Sequence, residues 1–159
     1  MNCTVVYYSY SGNTRKVAQI LAEYLKQKGD TRLMELESLD EAKSFFGQCR
    51  RAFTHVRGQI ETVNFDLTGS SIICFGSPVW ALGPAPAMNT YLDKCAGLEG
   101  KQVILFTTFG SGTGNERCLN YMESLLAKKG AQAINKFSVQ QNKIEDHEFV
   151  LSKIKAVVK

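Results

Sequence analysis

The sequence predicts an α/β protein in which helices cover both faces of a five-stranded parallel sheet. Two observations support this prediction. Five short apolar segments alternate with helical segments along the 159 residues, and the segment 70–76 (SSIICFG) is almost continuously apolar, as expected of a strand buried on both faces. Right-handed crossovers between parallel strands make a three-layer α/β/α sandwich. We expect one domain over residues 1–159, a usual length for one hydrophobic core.

The amino-terminal part predicts a strand, a helix and a second strand. Residues 3–8 (CTVVYY) are β-branched and apolar, and apolar residues follow with helical spacing from Val17 to Leu25. Gly29 is the glycine expected just after a helix, and a second strand is predicted over 31–36. Residues 39–64 are only weakly periodic, and within them the basic segment 43–57 is predicted as an amphipathic helix that packs its phenylalanines on the core.

The carboxyl-terminal part repeats the pattern. A strand at 70–76 is followed by loop two (77–84) and a helix that ends near Leu92. A strand at 102–108 is followed by loop three (109–114) and a helix at 116–128, and a strand at 133–139 is followed by a helix from Glu145. With the strand order 2-1-3-4-5, the loops after strands 1, 3 and 4 are neighbours at the edge where ligands of such sheets bind.

Composition and charge exclude several classes of protein. Apolar residues make up 44% and charged residues 21% of the chain, which is typical of a globular protein. No apolar run approaches the ~18 residues of a membrane span, and the amino terminus lacks the pattern of a signal peptide. The net charge is +4. The basic stretch 43–57 alone carries a charge of +4, so the rest of the chain is balanced. Its interleaved phenylalanines leave a nucleic-acid surface possible, but a helix packed on the core is favoured, and we expect no nucleic-acid partner.

Cysteines and histidines predict the compartment and the absence of a metal. The five cysteines are an odd number and form no C-x-x-C pair, so we expect free thiols in a reducing compartment and a cytoplasmic protein. Neither His55 nor His147 has the neighbours of a zinc site, and we expect no metal centre.

Loop one (9–14, SYSGNT) follows the first strand and contains three Ser and Thr hydroxyls among its polar groups. At the start of a helix, backbone N–H groups and the positive end of the helix dipole attract anions. A capped helix start is the alternative, but capping needs only one such residue. We therefore expect loop one to bind a phosphate group.

Loops two and three carry features suited to a planar ligand. The only tryptophan, Trp80, lies among the three prolines of the chain, Pro78, Pro84 and Pro86, and it offers a flat face unless it belongs to the core. Loop three, FGSGTG, has three glycines that let a ligand approach the backbone closely, with a mobile turn as the alternative. It is not a dinucleotide motif, because Asn115 stands where G-x-G-x-x-G needs glycine.

Other phosphate-binding classes are excluded by their missing residues. The chain has no G-x-x-x-x-G-K-[ST] motif, no cysteine followed six residues later by arginine, and no aspartate at the end of strand 3. P-loop NTPases, cysteine-dependent phosphatases and phospho-accepting receiver domains therefore do not fit. A phosphate with an attached planar ring remains.

With these motifs, the chain resembles the flavodoxin-like family, which binds flavin mononucleotide (FMN). SYSGNT is similar to the [ST]-x-[ST]-G-N-[TS] phosphate loop of that family, and GSPVWALGPAPAMNTYL and TTFGSGTGN extend the similarity over nearly the whole chain. The resemblance implies FMN as cofactor and no catalytic side chain beyond it. It places the FMN at Ser9, Tyr10, Ser11, Gly12, Asn13 and Thr14 of loop one, at Pro78, Val79, Trp80 and Ala81 beside the ring, and at Thr108, Phe109, Gly110, Ser111 and Gly112 along the ring edge.

The resemblance also implies an electron-transfer role, with two forms. One is a redox protein that passes electrons to a protein partner, with the basic segment 43–57 docking an acidic surface. The other is an NAD(P)H-dependent FMN reductase of quinone-like acceptors, with Arg50, Arg51 or Arg57 attracting the phosphates of the nucleotide. A fold that binds another phosphate ligand or only a partner is the remaining hypothesis. Loops two and three contain no Asp or Glu, which predicts a milder flavin potential than that of acidic carriers.

Overall fold

The structure, a computed structural model, describes residues 1–40, 47, 50, 54, 57–110 and 112–158. In chain order, the elements formed by these residues are β1 (Asn2–Tyr7), α1 (Asn13–Lys26), β2 (Asp30–Glu35), β3 (Ile72–Trp80), β4 (Gly83–Pro84), α2 (Pro86–Lys94), β5 (Gln102–Phe109), α3 (Asn115–Ala127), β6 (Ala133–Gln140), a 3₁₀ turn (Gln141–Lys143) and α4 (His147–Val157). Most of the predicted basic helix at 43–57 lies outside the described residues.

Five of the strands form one parallel sheet in the order β2-β1-β3-β5-β6. The third, fourth and fifth predicted strands correspond to β3, β5 and β6, so the predicted fold class and strand order are confirmed. In the register, Val5 of β1 pairs with Leu33 on one side and with Cys74 on the other. Strands β1 and β3 are thus interior strands of the sheet, which explains their nearly unbroken apolar sequences.

The predicted loop two (77–84) is wrong except at Ala81 and Leu82. Strand β3 continues through Ser77 and Pro78 to Trp80, and the two-residue strand β4 pairs with it in antiparallel register. The turn between them is formed by Ala81 and Leu82, whose φ angles are +45° and +72°. Positive φ at both central residues is the geometry of a tight hairpin turn that usually contains Asn-Gly. Neither residue type stands at the two central positions, so the sequence had no Asn-Gly hairpin pattern there.

The hydrophobic core lies in two layers, one on each face of the sheet. On β5, Val103 and Leu105 belong to the layer under α2 and α3, whereas Ile104 and Phe106 belong to the layer under α1 and α4. The ring of Phe106 lies so close to Gly76 that a Cβ atom there would be 2.0 Å from its Cζ atom. None of the described helices is long and apolar enough to cross a membrane.

Two polar side chains are fully buried in the described core without a hydrogen-bond partner. They are Asn89 of α2, at both of its amide atoms, and Thr107 of β5, at Oγ1. The adjacent Thr108 points to the opposite face, and its Oγ1 lies 2.8 Å from Oγ1 of Thr14. Because an unpaired buried hydroxyl has lost its hydration without compensation, Thr107 destabilises the fold.

Replacing Thr107 by the isosteric valine is expected to stabilise the apoprotein. Removal of the unpaired hydroxyl should raise the free energy of unfolding by about 1 kcal/mol, which corresponds to a rise in Tm of about 2–4 °C for a chain of this size. Thermal unfolding followed by circular dichroism measures the change. Thr108→Val is the matched control: it breaks the bond to Thr14 and should lower the Tm. A lower Tm for Thr107→Val would contradict the prediction.

Candidate functional site

A cavity of about 280 Å³ lies at the carboxyl edge of the sheet. Its walls come from the ends of four parallel strands: the loop after β1, the β3 end, the β5 end and the 3₁₀ turn after β6. The residues that line it are Tyr10, Ser11, Asn13, Pro78, Val79, Trp80, Thr108, Phe109, Gly110 and Gln141. All of these except Gln141 belong to the site predicted from the sequence.

Loop one presents free backbone N–H groups at the amino end of α1. Gly12 precedes this 14-residue helix with φ +90°, and no side chain caps the helix start. The backbone N–H groups of residues 9–14 donate no hydrogen bond to any described residue. The N–H of Arg15 is bound by Ser9 Oγ at 3.2 Å. A Cβ atom placed on Gly12 would meet nothing within 4 Å, so the loop is open to an anion.

Thr14 lies behind this surface rather than in the cavity wall. Its side chain is buried, and the hydrogen bond between Thr14 and Thr108 joins the first turn of α1 to the end of β5. Thr108 also lines the cavity. The bond therefore holds loop one and the β5 wall in a fixed relation to each other.

The arginine next to loop one is already paired. Arg15 Nη2 lies 2.7 Å from Glu35 Oε1 at the end of β2, and Arg15 Nε also contacts this carboxylate. The hydroxyl of Tyr7 donates to Glu35 Oε2 at 2.9 Å. Burial, with this bond to Glu35, raises the pKa of Tyr7 to about 12, so Tyr7 is a neutral donor. None of the described residues lining the cavity is charged, and backbone dipoles dominate its electrostatics.

Aromatic rings form the wall on the β3 side. Trp80 is only 4% exposed, and its ring packs edge-to-face against Tyr8 at 5.7 Å and against Tyr10 at 5.5 Å. Tyr10 is 45% exposed. Trp80 therefore belongs to the core layer and also lines the cavity, while Tyr10 of loop one supplies the exposed aromatic surface.

The turn after Trp80 is connected to the start of α3. A Cβ atom on Gly114, which precedes α3 with φ +93°, would lie 2.6 Å from Leu82 Cδ2. Leu82 thus fills the space above Gly114. Ala81 lies in the turn and does not line the cavity.

Loop three lies against residues that follow β6. Phe109 and Gly110 line the cavity, Gly112 is exposed, and Ser111 lies outside the described residues. Gln140 Nε2 donates to the Gly110 carbonyl at 3.4 Å. Gln141 is missing from the site predicted above, because that prediction covered only the loops after strands 1, 3 and 4. The carboxyl end of the fifth parallel strand meets the same edge, and that rule was sufficient to find it.

Residues 1–145 match the family described as NADPH-dependent FMN reductase. The chain belongs to this family. The resemblance to FMN-binding proteins is confirmed, and so is the expectation of an FMN-binding redox protein with FMN as its cofactor. A nicotinamide nucleotide is the partner that the family implies. The free N–H groups of loop one and the aromatic, uncharged cavity fit a phosphate joined to a planar ring.

Solved structures share the fold at low sequence identity. A flavoprotein from Lactobacillus acidophilus in complex with FMN is 21% identical, with a TM-score of 0.65 over 92% of this chain and 98% of the other. Flavodoxin 2 from Bacillus cereus is 19% identical, with a TM-score of 0.61 over 98% and 99%. The Trp repressor binding protein from Bacillus subtilis is 14% identical, with a TM-score of 0.67 over 100% and 99%. The sequence matches no curated protein.

Removal of the Tyr10 ring is expected to expose Trp80. Because Trp80 is the only tryptophan, its fluorescence reports this site alone. Tyr10→Ala should shift the emission to longer wavelength and increase quenching by acrylamide, since water then reaches an indole that is otherwise buried. Tyr24→Ala on α1, outside the cavity wall, is the control and should leave both unchanged. Equal quenching in Tyr10→Ala and the wild type would show that Tyr10 does not cover Trp80.

Proposed function

We propose that this chain is an FMN-dependent oxidoreductase that takes a hydride from NADPH or NADH and passes the electrons to a quinone-like acceptor. The observation that carries the proposal is the position of the free N–H groups of residues 9–14 beside an uncharged cavity with aromatic walls. The N–H groups suit a phosphate, and the cavity suits the ring joined to it. The family match supports the nicotinamide nucleotide as the electron donor.

Under this proposal, the phosphate of FMN is bound by the backbone of loop one together with the polar side chains of Ser11 and Asn13. Ser9, Tyr10, Gly12 and Thr14 shape this loop. The ring is contacted on the β3 side by Pro78, Val79 and Trp80, and on the β5 side by Thr108, Phe109 and Gly110. Bound FMN supplies the centre that accepts hydride and releases electrons.

The uncharged walls favour reduction by two electrons. An acidic side chain beside the ring would disfavour the anionic, fully reduced flavin, and no described residue lining the cavity is acidic. The apolar side chains of Val79, Trp80 and Phe109 exclude water from the ring. The chain thereby binds and orients the cofactor without an acid or base of its own in the cavity wall.

Electron transfer to a protein partner is the second form of this function, and the basic segment 43–57 was its docking surface in the sequence analysis. Of the arginines in this segment, Arg50 and Arg57 are described: Arg50 is exposed, and Nη2 of Arg57 lies 3.5 Å from Asp93 Oδ1 in the last turn of α2. Since Arg57 is engaged by Asp93, the structure gives it no support as the residue that attracts nucleotide phosphates. The proposal therefore rests on the cavity and not on the basic segment.

We also propose one domain over residues 1–159 in a reducing compartment such as the cytoplasm. Both core layers share the same sheet, which supports a single cooperative unit. The described cysteines are buried free thiols, and burial raises the pKa of Cys95 to about 11, so its thiol stays protonated and unreactive at neutral pH.

Ser11→Asp is expected to weaken FMN binding by roughly a hundredfold, because it sets a carboxylate against the phosphate. Quenching of flavin fluorescence during titration of the apoprotein measures the Kd. Ser152→Asp on the exposed side of α4 makes the same charge change away from the cavity and should bind FMN like the wild type. An unchanged Kd for Ser11→Asp would show that the phosphate of FMN does not bind at loop one.

Anaerobic reduction of the FMN-loaded protein separates the two forms of the function. With NADPH, we expect rapid loss of the flavin absorbance without the long-wavelength band of a one-electron-reduced flavin, since the cavity favours two-electron reduction. Dithionite serves as the control that the bound flavin is reducible. No reaction with either NADPH or NADH, together with a persistent long-wavelength band under dithionite, would reject the reductase in favour of a one-electron carrier.

A further inference from the structure

Gln141 lines the cavity just after β6, the strand of the parallel sheet that lies farthest from β1. It is the first residue of the 3₁₀ turn after β6, and its side chain lines the cavity together with Phe109 and Gly110. Gly110 has no side chain to separate the two segments: a Cβ atom there would lie 3.4 Å from Gln141 Oε1. The carboxamide of Gln141 thus stands directly beside the β5 wall.

This carboxamide is free to bind a ligand. Its neighbour Gln140 already donates to the Gly110 carbonyl, whereas the Gln141 side chain forms no hydrogen bond with any residue that the structure describes. A glutamine side chain offers an N–H donor and a C=O acceptor side by side. It can therefore form two parallel hydrogen bonds with a ligand edge that presents an acceptor next to a donor.

The position of Gln141 relative to loop one determines which end of the ligand it meets. In the sheet order, β1 and β6 are separated by β3 and β5, which places their ends about 14 Å apart at the usual strand spacing. A ligand anchored by its phosphate at the end of β1 and laid across the ends of β3 and β5 presents its opposite end to Gln141.

We propose that Gln141 is a specificity-determining residue that hydrogen-bonds the pyrimidine edge of the flavin ring. That edge carries an N3–H between two carbonyl groups, so the Gln141 carbonyl accepts from N3–H and its amide N–H donates to an adjacent flavin carbonyl. The inference rests on the proposed function, because it requires FMN in the cavity. This contact would add the end of β6 to the ends of β1, β3 and β5 in the FMN site.

The test compares FMN with 3-methyl-FMN, which lacks the N3–H. The wild type is expected to bind FMN roughly tenfold more tightly than the methylated analogue, as for one lost hydrogen bond. Gln141→Ala should bind the two flavins with nearly equal Kd, because the acceptor is gone and space is available for the methyl group. Asn142→Ala, an exposed neighbour outside the cavity wall, is the control and should discriminate like the wild type.

A second variant keeps the size of the side chain. Gln141→Glu replaces the N–H donor by an anionic oxygen beside a flavin carbonyl, so it should bind FMN more weakly than Gln141→Ala at neutral pH. The inference would be overturned if Gln141→Ala still bound FMN roughly tenfold more tightly than 3-methyl-FMN, or if the wild type bound the two flavins equally. In either case the binding of FMN itself would not be contradicted. A wild type that binds neither flavin would overturn the proposed function instead.

Discussion

The backbone amides at the amino end of α1 set the constraint on which the candidate site depends. Helix starts leave N–H groups without partners, and a side-chain cap usually satisfies some of them. Here Gly12 adopts a left-handed conformation, no side chain caps α1, and Ser9 binds only the N–H of Arg15. The remaining N–H groups of the loop donate to no described residue and lie next to the cavity. An anionic group satisfies several of them at once, which water does only transiently.

The charges near loop one are paired or absent, so the backbone N–H groups dominate the electrostatics of the loop. Glu35 binds Arg15 with both of its oxygens and also accepts from Tyr7, so the nearest cation is compensated before any ligand arrives. The described cavity wall adds no charge of its own. In the function proposed above, N–H donors select the phosphate by their geometry, and the reduced ring meets no acidic side chain among the described residues of the wall. Both effects follow from one arrangement and are compatible with the two-electron reduction that we propose.

The turn after Trp80 shows how a strained segment is held in place. Ala81 and Leu82 both have positive φ without being glycine, a conformation that costs on the order of 1 kcal/mol or more for each residue. Burial of Trp80 on one side of the turn and packing of Leu82 over Gly114 on the other offset this cost. The same contacts tie the end of β3, which lines the cavity, to the start of α3. This part of the cavity wall therefore belongs to one packed unit and is not an independent loop.

The strand order, helices α1 to α4 and most of the cavity wall could be predicted from the sequence. Its apolar periodicity reports which faces are buried, and the ends of parallel strands must meet at one edge, so residues such as Ser11, Trp80 and Gly110 could be found by position alone. The tertiary structure was needed to show that Pro78 continues a strand, that Thr14 bonds to Thr108 and that the Tyr10 ring packs edge-to-face on Trp80. Each of these depends on contacts between segments distant in the chain, and local sequence patterns contain no information about which distant side chain fills a given space.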